Sequence, residues 1–164
     1  MAITYTPIAT TTLASAAASY TFSSISGSYT DLIIVYNGKY ASASGQMGVQ
    51  INGDTGTNYS NTYLYGSGSA ASSGRDTGNT GMVLGFTASA NVDNMVLLQF
   101  MNYSNATTYK TVLSRSNTAT SEGISANVGL WRNTAAITSI KLYVYPSYNF
   151  VAGSTFTLYG IKAA

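Results

Sequence analysis

The sequence predicts an all-β fold, a sandwich or barrel of antiparallel sheets with about 8–10 short strands and almost no helix. Three observations carry this. Short runs rich in Val, Ile, Thr, Tyr and Phe alternate apolar and polar residues with a period of two, and Gly, Asn and Ser clusters separate them. Good helix formers such as Glu, Lys and Gln are scarce, and no stretch keeps an apolar stripe at helical spacing. Composition does not change along the 164 residues, so one domain is expected over 1–164.

In chain order, the first strand candidates are Ile3 to Ile8 and Tyr20 to Ile25, and the Ala14 to Ala18 run between them is too short to nucleate a helix. Leu32 to Val35 is apolar on both faces and reads as a central strand, as does Met95 to Met101. Gly45 to Ile51, Tyr59 to Tyr65, Met82 to Phe86 and Thr108 to Ser114 are shorter candidates. Ile124, Ala126, Val128 and Leu130 alternate with Ser125, Asn127, Gly129 and Trp131, which predicts that the first set faces the core. Ile140, Leu142 and Val144 form a second such row, and Phe156 and Leu158 a third. Residues 65–81, YGSGSAASSGRDTGNTG, are expected to form a long surface loop. Within INGDTGTNY, residues 51–59, the Asn-Gly and Asp-Thr-Gly steps predict turns in which Gly supplies positive φ, and the single carboxylate argues against a calcium loop.

Charged residues make up only 7% of the chain, against about a quarter in an ordinary soluble protein. Its polarity resides in hydroxyls and amides, a surface suited to neutral contacts with other subunits. Seven basic residues are scattered and give a net charge of only +2, so no basic track for nucleic acid is expected. No apolar run is long enough to span a membrane, and the opening MAITYTPIATTTL has neither a basic segment nor a continuous apolar segment of a signal peptide. With no Cys, stability must come from packing, hydrogen bonds or association.

The chain also has no His, so no Ser–His or Cys–His nucleophile pair can be built. The carboxylates Asp31, Asp54, Asp76, Asp93 and Glu122 fall in no recognisable motif. The expectation is therefore a protein that is not an enzyme, with no catalytic residue, no metal site and no cofactor. The positive chemical signature is 14 Tyr and one Trp. Tyrosine brings contact area and a hydroxyl at low conformational cost, which suits subunit interfaces and sugar stacking. Tyr59, Tyr63, Tyr65, Trp131 and Arg132 are the candidate interface or glycan contacts, with cross-strand packing as the alternative role.

Three blocks carry a resemblance. AGSTFTLYGIKAA (152–164), INGDTGTNYSNTYLYGSGS (51–69) and YTFSSISGSYTDLIIVYNGK (20–39) resemble segments of small β-sandwich virion structural proteins of tailed bacteriophages. The resemblance implies a jelly-roll-like sandwich on the virion surface, made in the bacterial host cytoplasm and assembled as a homo-oligomer, usually a homotrimer. It implies a capsid decoration (cement) protein bound to the major capsid protein or another virion protein, or a tail or fibre component that binds a host surface glycan. The strand-like start at Ile3, with no attachment shaft, favours the decoration role.

Overall fold

The computed structural model describes residues 5–85, 88–119 and 123–162. Among these there is no helix, and twelve strands form two antiparallel sheets packed as a sandwich. They are β1 (Tyr5–Thr12), β2 (Ser19–Phe22), β3 (Asp31–Lys39), β4 (Gln46–Ile51), β5 (Tyr59–Gly66), β6 (Ala71–Asn79), β7 (Met82–Val83), β8 (Asp93–Phe100), β9 (Lys110–Thr118), β10 (Ile124–Trp131), β11 (Ile140–Tyr145) and β12 (Thr155–Ile161). The large sheet runs β1-β12-β3-β8-β9-β10-β5-β6, and the small one runs β2-β11-β4-β7. First and last strands pair, so both ends of the described chain belong to one sheet. Ile3, Phe86 and Glu122, named among the strand and carboxylate candidates, lie outside the described residues.

The two segments expected at the centre are there, with β3 and β8 hydrogen-bonded side by side in the middle of the large sheet. Leu32, Ile34 and Tyr36 of β3 and Val96, Leu98 and Phe100 of β8 point into the core. Opposite them the small sheet contributes Met47, Val49, Leu142 and Val144. An aromatic cluster closes one end: Phe156 is stacked on Tyr20 at 5.0 Å, meets Phe150 edge-on at 4.9 Å, and lies 5.2 Å from Tyr36. The expected turn after β4 forms as a tight reversal, with Asn52 at φ 52°, Gly53 at φ 68° and the Asp54 N–H donating to the Ile51 carbonyl at 2.9 Å.

Two expectations fail here. Residues 65–81 are not a loop. Most of the segment is β6, an edge strand paired with β5 from Tyr59↔Asn79 to Gly66↔Ala71, with one bulge at Gly78. Its sequence, ASSGRDTGN, has almost no apolar residue because neither of its faces meets the core, and hydrogen bonding to β5 holds it. The polarity of β10 is also reversed. Ser125, Asn127, Gly129 and Trp131 are buried, whereas Ile124, Ala126 and Val128 face outward. The small sheet is only four strands wide, and its edge strand β7 reaches over β10 and β5 without covering their full length. Beyond that edge the inner face of the large sheet is polar.

Burial has a consequence at alkaline pH. It raises the phenols of Tyr36 and Tyr40 well above the ordinary value near 10, and pushes Tyr59 up to about 12. An unfolded chain releases these protons near pH 10 while the folded chain keeps them, so rising pH favours unfolding. The stability contribution is complete below pH 10 and disappears as pH climbs through the folded values. Tyrosinate absorbance followed with near-ultraviolet circular dichroism should show the buried phenols ionising only as tertiary structure is lost; their ionisation in an intact fold would refute this.

Candidate functional site

A groove of about 790 Å³ opens where the polar inner face of the large sheet extends past the edge of the small one. Its floor is built from hydroxyls and amides. The Ser116 and Ser125 hydroxyls lie 2.7 Å apart, and the Asn127 amide donates to the hydroxyls of Ser114 at 2.9 Å and Ser125 at 3.1 Å. One strand over, the Asn61 amide donates to Asp76 Oδ2 at 3.1 Å. Mutual hydrogen bonding is what allows so many polar side chains to be buried together.

Four tyrosines form the walls. Tyr63 and Tyr65 project from the same face of β5 with ring centroids 6.4 Å apart. Tyr143 and Tyr145 come from the outward face of β11 and lean over the edge of the small sheet. Glycines make room for these rings: a β-carbon at Gly48 or Gly81 would collide with Tyr143, and one at Gly74 with Tyr63. The burial of Tyr143 raises its phenol pKa, so it stays a neutral hydroxyl over the physiological range. Among the described lining residues Asp76 is the only charged one. The groove continues into a shallower depression of about 360 Å³ that shares Tyr143 and Tyr145 and adds Lys141 and Tyr148.

The structure separates the five candidate residues. Tyr63 and Tyr65 reach the groove. Tyr59 and Trp131, proposed as contacts, are instead core residues at 0% and 1% exposure, paired across β5 and β10 with rings 6.5 Å apart. Both fall on the buried face of their strands, and their polar atoms are taken up internally. The Tyr59 hydroxyl donates to the Asp54 carbonyl at 2.9 Å, and Trp131 Nε1 donates to Asp54 Oδ2 at 2.7 Å. Arg132 is half-buried and serves as a clasp, donating to the carbonyls of Thr57 at 3.0 Å and Tyr59 at 3.4 Å and to the Ser60 hydroxyl at 3.2 Å. The sequence reading missed Tyr143 and Tyr145. Their signal was present, since both lie on the non-core face of the Ile140-Leu142-Val144 strand.

Asp54 thus fastens the turn after β4 to the indole of β10. Its carboxyl is held below the ordinary value by the Trp131 N–H first; desolvation, next in size, opposes this, and Asn58 and the Gly56 N–H add to the lowering. A depressed pKa contributes stability above the unfolded value near 4 that is lost as pH falls through the folded one. Thermal melts at pH 6 and pH 3 should show a smaller acid-induced drop in Asp54→Asn than in the unaltered protein. Equal drops would contradict the assignment.

No protein-family model matches the chain, and no curated protein sequence matches it. Among solved structures it is similar to alginate lyase Aly36B, a mutant in complex with alginate tetrasaccharide, at a TM-score of 0.34 and 10% identity over 83% of this chain and 72% of that one. It is also similar to the marine PL-14 alginate lyase from Aplysia kurodai, at a TM-score of 0.37 and 11% identity over 85% and 72%. At these values the likeness carries no argument about what this chain binds or does. Both similar sandwiches are enzymes, and the expectation that this protein is not one needs correcting on chemical grounds. Lacking His and Cys removes particular nucleophile pairs, whereas Tyr and Lys side chains also transfer protons. The sequence-based exclusion of catalysis is therefore withdrawn.

Proposed function

We propose that this chain is a virion structural protein of a tailed bacteriophage whose groove holds a neutral saccharide, an adhesive tail or fibre component. The observation that carries the reading is the groove itself, with four tyrosines facing buried amides and hydroxyls and a single carboxylate. Sugar rings offer C–H faces that pack on aromatic side chains and hydroxyls that pair with amides and carboxylates. With Asp76 in the groove and Lys141 in the adjoining depression, the track carries no net charge, which suits a neutral chain over a polyuronate. The adjoining depression lengthens the track, which favours an oligosaccharide over a single sugar. The virion context is supported by the resemblance of the three sequence blocks.

Calorimetric titration with neutral oligosaccharides and with uronate oligosaccharides of the same length tests this. Binding of neutral chains that persists at high salt is expected. Failure of every neutral chain to bind, or preference for the uronates, would overturn it.

A capsid decoration (cement) subunit is the second reading, favoured by the scarcity of charge, 12 charged residues in 164, which suits salt-insensitive packing on a shell. Such a subunit binds the assembled shell and stabilises it by mass action. Quantitative mass spectrometry of virions separates the readings, since a copy number near that of the major capsid protein supports decoration and a number like that of tail components supports adhesion.

A further inference from the structure

We infer that the outer face of the large sheet, from β3 to β6, docks a second copy of this chain. The argument begins with the reversed polarity of β10. In a sandwich with one face in water, inward residues are apolar and outward ones polar. Here β9 and β10 turn Ser114, Ser116, Ser125 and Asn127 inward, and Leu113, Ile124, Ala126 and Val128 outward.

Register shows that the outward apolar residues are contiguous. Leu64 lies opposite Ala126, which lies opposite Arg115, then Leu97, then Val35, across five adjacent strands. The next row carries Val128, Leu113 and Ile33, with Gln99 between the last two. A third row adds Ile124 and Met95 on either side of Asn117. Leu64 is 62% exposed and Ile124 58%. The rows enclose a shallow apolar depression of about 370 Å³. A face this apolar and continuous, left in water, exceeds what single scattered side chains explain.

The area identifies the occupant. Strand spacing of about 4.8 Å and a two-residue repeat of about 6.8 Å give each outward side chain a footprint of roughly 33 Å². With about four such positions on each of the six strands, the face covers roughly 800 Å², the share that each partner contributes to a stable protein–protein interface. Two flat sheet faces stack about 10 Å apart, and a face meeting its own copy forms a closed two-fold pair that leaves no further copy to recruit. The chemistry is self-complementary as well. Arg115 lies within the apolar rows, Arg75 continues the Val128–Thr62 row onto β6, and Lys39 pairs with Asp93 at the β3–β8 end. The side-chain oxygens of Gln99, Asn117 and Thr62 on the opposing copy offer acceptors to the two arginines. A net charge of +2 imposes little repulsion between copies. This inference does not depend on the saccharide reading, because the groove opens on the opposite face of the same sheet.

Sedimentation equilibrium of the full chain tests it. A dimer is expected, with Leu113→Asp and Val128→Asp each weakening self-association about a hundredfold or more while leaving the far-ultraviolet spectrum unchanged. Because the chain has no Cys, cross-linking gives a second measurement that needs no disruptive change. Val128→Cys should link two copies efficiently, and Ser147→Cys, on an exposed turn after β11, should not. A protein monomeric at every concentration, an oligomer unaffected by Leu113→Asp, or equal cross-linking at both sites would overturn the inference.

Discussion

Trp131→Ala is expected to lower stability by about 3–5 kcal/mol, the range for removing a fully buried large aromatic side chain. Three things are lost together. The indole is the largest fully buried side chain, its ring packs parallel to Tyr59 at 6.5 Å, and its N–H is the first of the donors that hold Asp54. For a chain of this length the change should lower Tm by about 10 °C. Trp131→Phe separates the contributions, since it keeps most of the packing and removes the donor. It should cost less than half as much and reduce, without abolishing, the acid sensitivity assigned to Asp54, because Asn58 and the Gly56 N–H still donate to the carboxylate. A Trp131→Ala protein melting within about 2 °C of the unaltered one would contradict the placement of Trp131 in the core.

Tyr143→Ala is expected to weaken saccharide binding at least tenfold, about 1.4 kcal/mol, with little change in stability. Tyr143 is half-buried on the outward face of β11, so its removal opens no cavity in the core. Tyr63→Ala should act similarly from the opposite wall. Gly81→Ala offers an independent check, because the added methyl occupies the space of the Tyr143 hydroxyl and must displace the ring. Binding that falls in Gly81→Ala as in Tyr143→Ala would tie affinity to the position of the ring. Unchanged affinity in all three variants would remove the tyrosines from the site.

The sequence made the architecture legible wherever burial imposed a pattern. Ile140, Leu142 and Val144 face the core as their period predicts, and Phe156 and Leu158 do likewise. Leu32 to Val35 forms part of a central strand because residues on both of its faces are covered or half-covered. The pattern misled at β10, where the apolar row is the outward one. Period two states that two faces differ, and only the width of the opposing sheet decides which face is covered. β6 was invisible for a related reason. An edge strand held by backbone hydrogen bonds carries no hydrophobic signature, and its glycines and serines read as a loop.

The candidate site was legible in part. Aromatic abundance pointed to tyrosine, and Tyr63 and Tyr65 do line the groove. Clustering in sequence then grouped them with Tyr59, which lies on the same face of β5 but further along it, with its hydroxyl at the end of β4 and its ring against Trp131. The other wall comes from Tyr143 and Tyr145, about 80 residues away in the chain, and only the packing of two sheets brings them together. The polar floor was read as the solvent face of β10. It is in fact the inner face of a sheet that its partner leaves partly uncovered.

The most direct test of the groove is a two-dimensional NMR titration of the intact protein with a neutral oligosaccharide. Saturable shifts at the ring resonances of Tyr63, Tyr65, Tyr143 and Tyr145, together with the side-chain amides of Asn61 and Asn127, are expected. The resonances of Leu113 and Val128 on the opposite face should stay in place. Absence of any shift at saturating sugar, or shifts confined to that opposite face, would contradict the account.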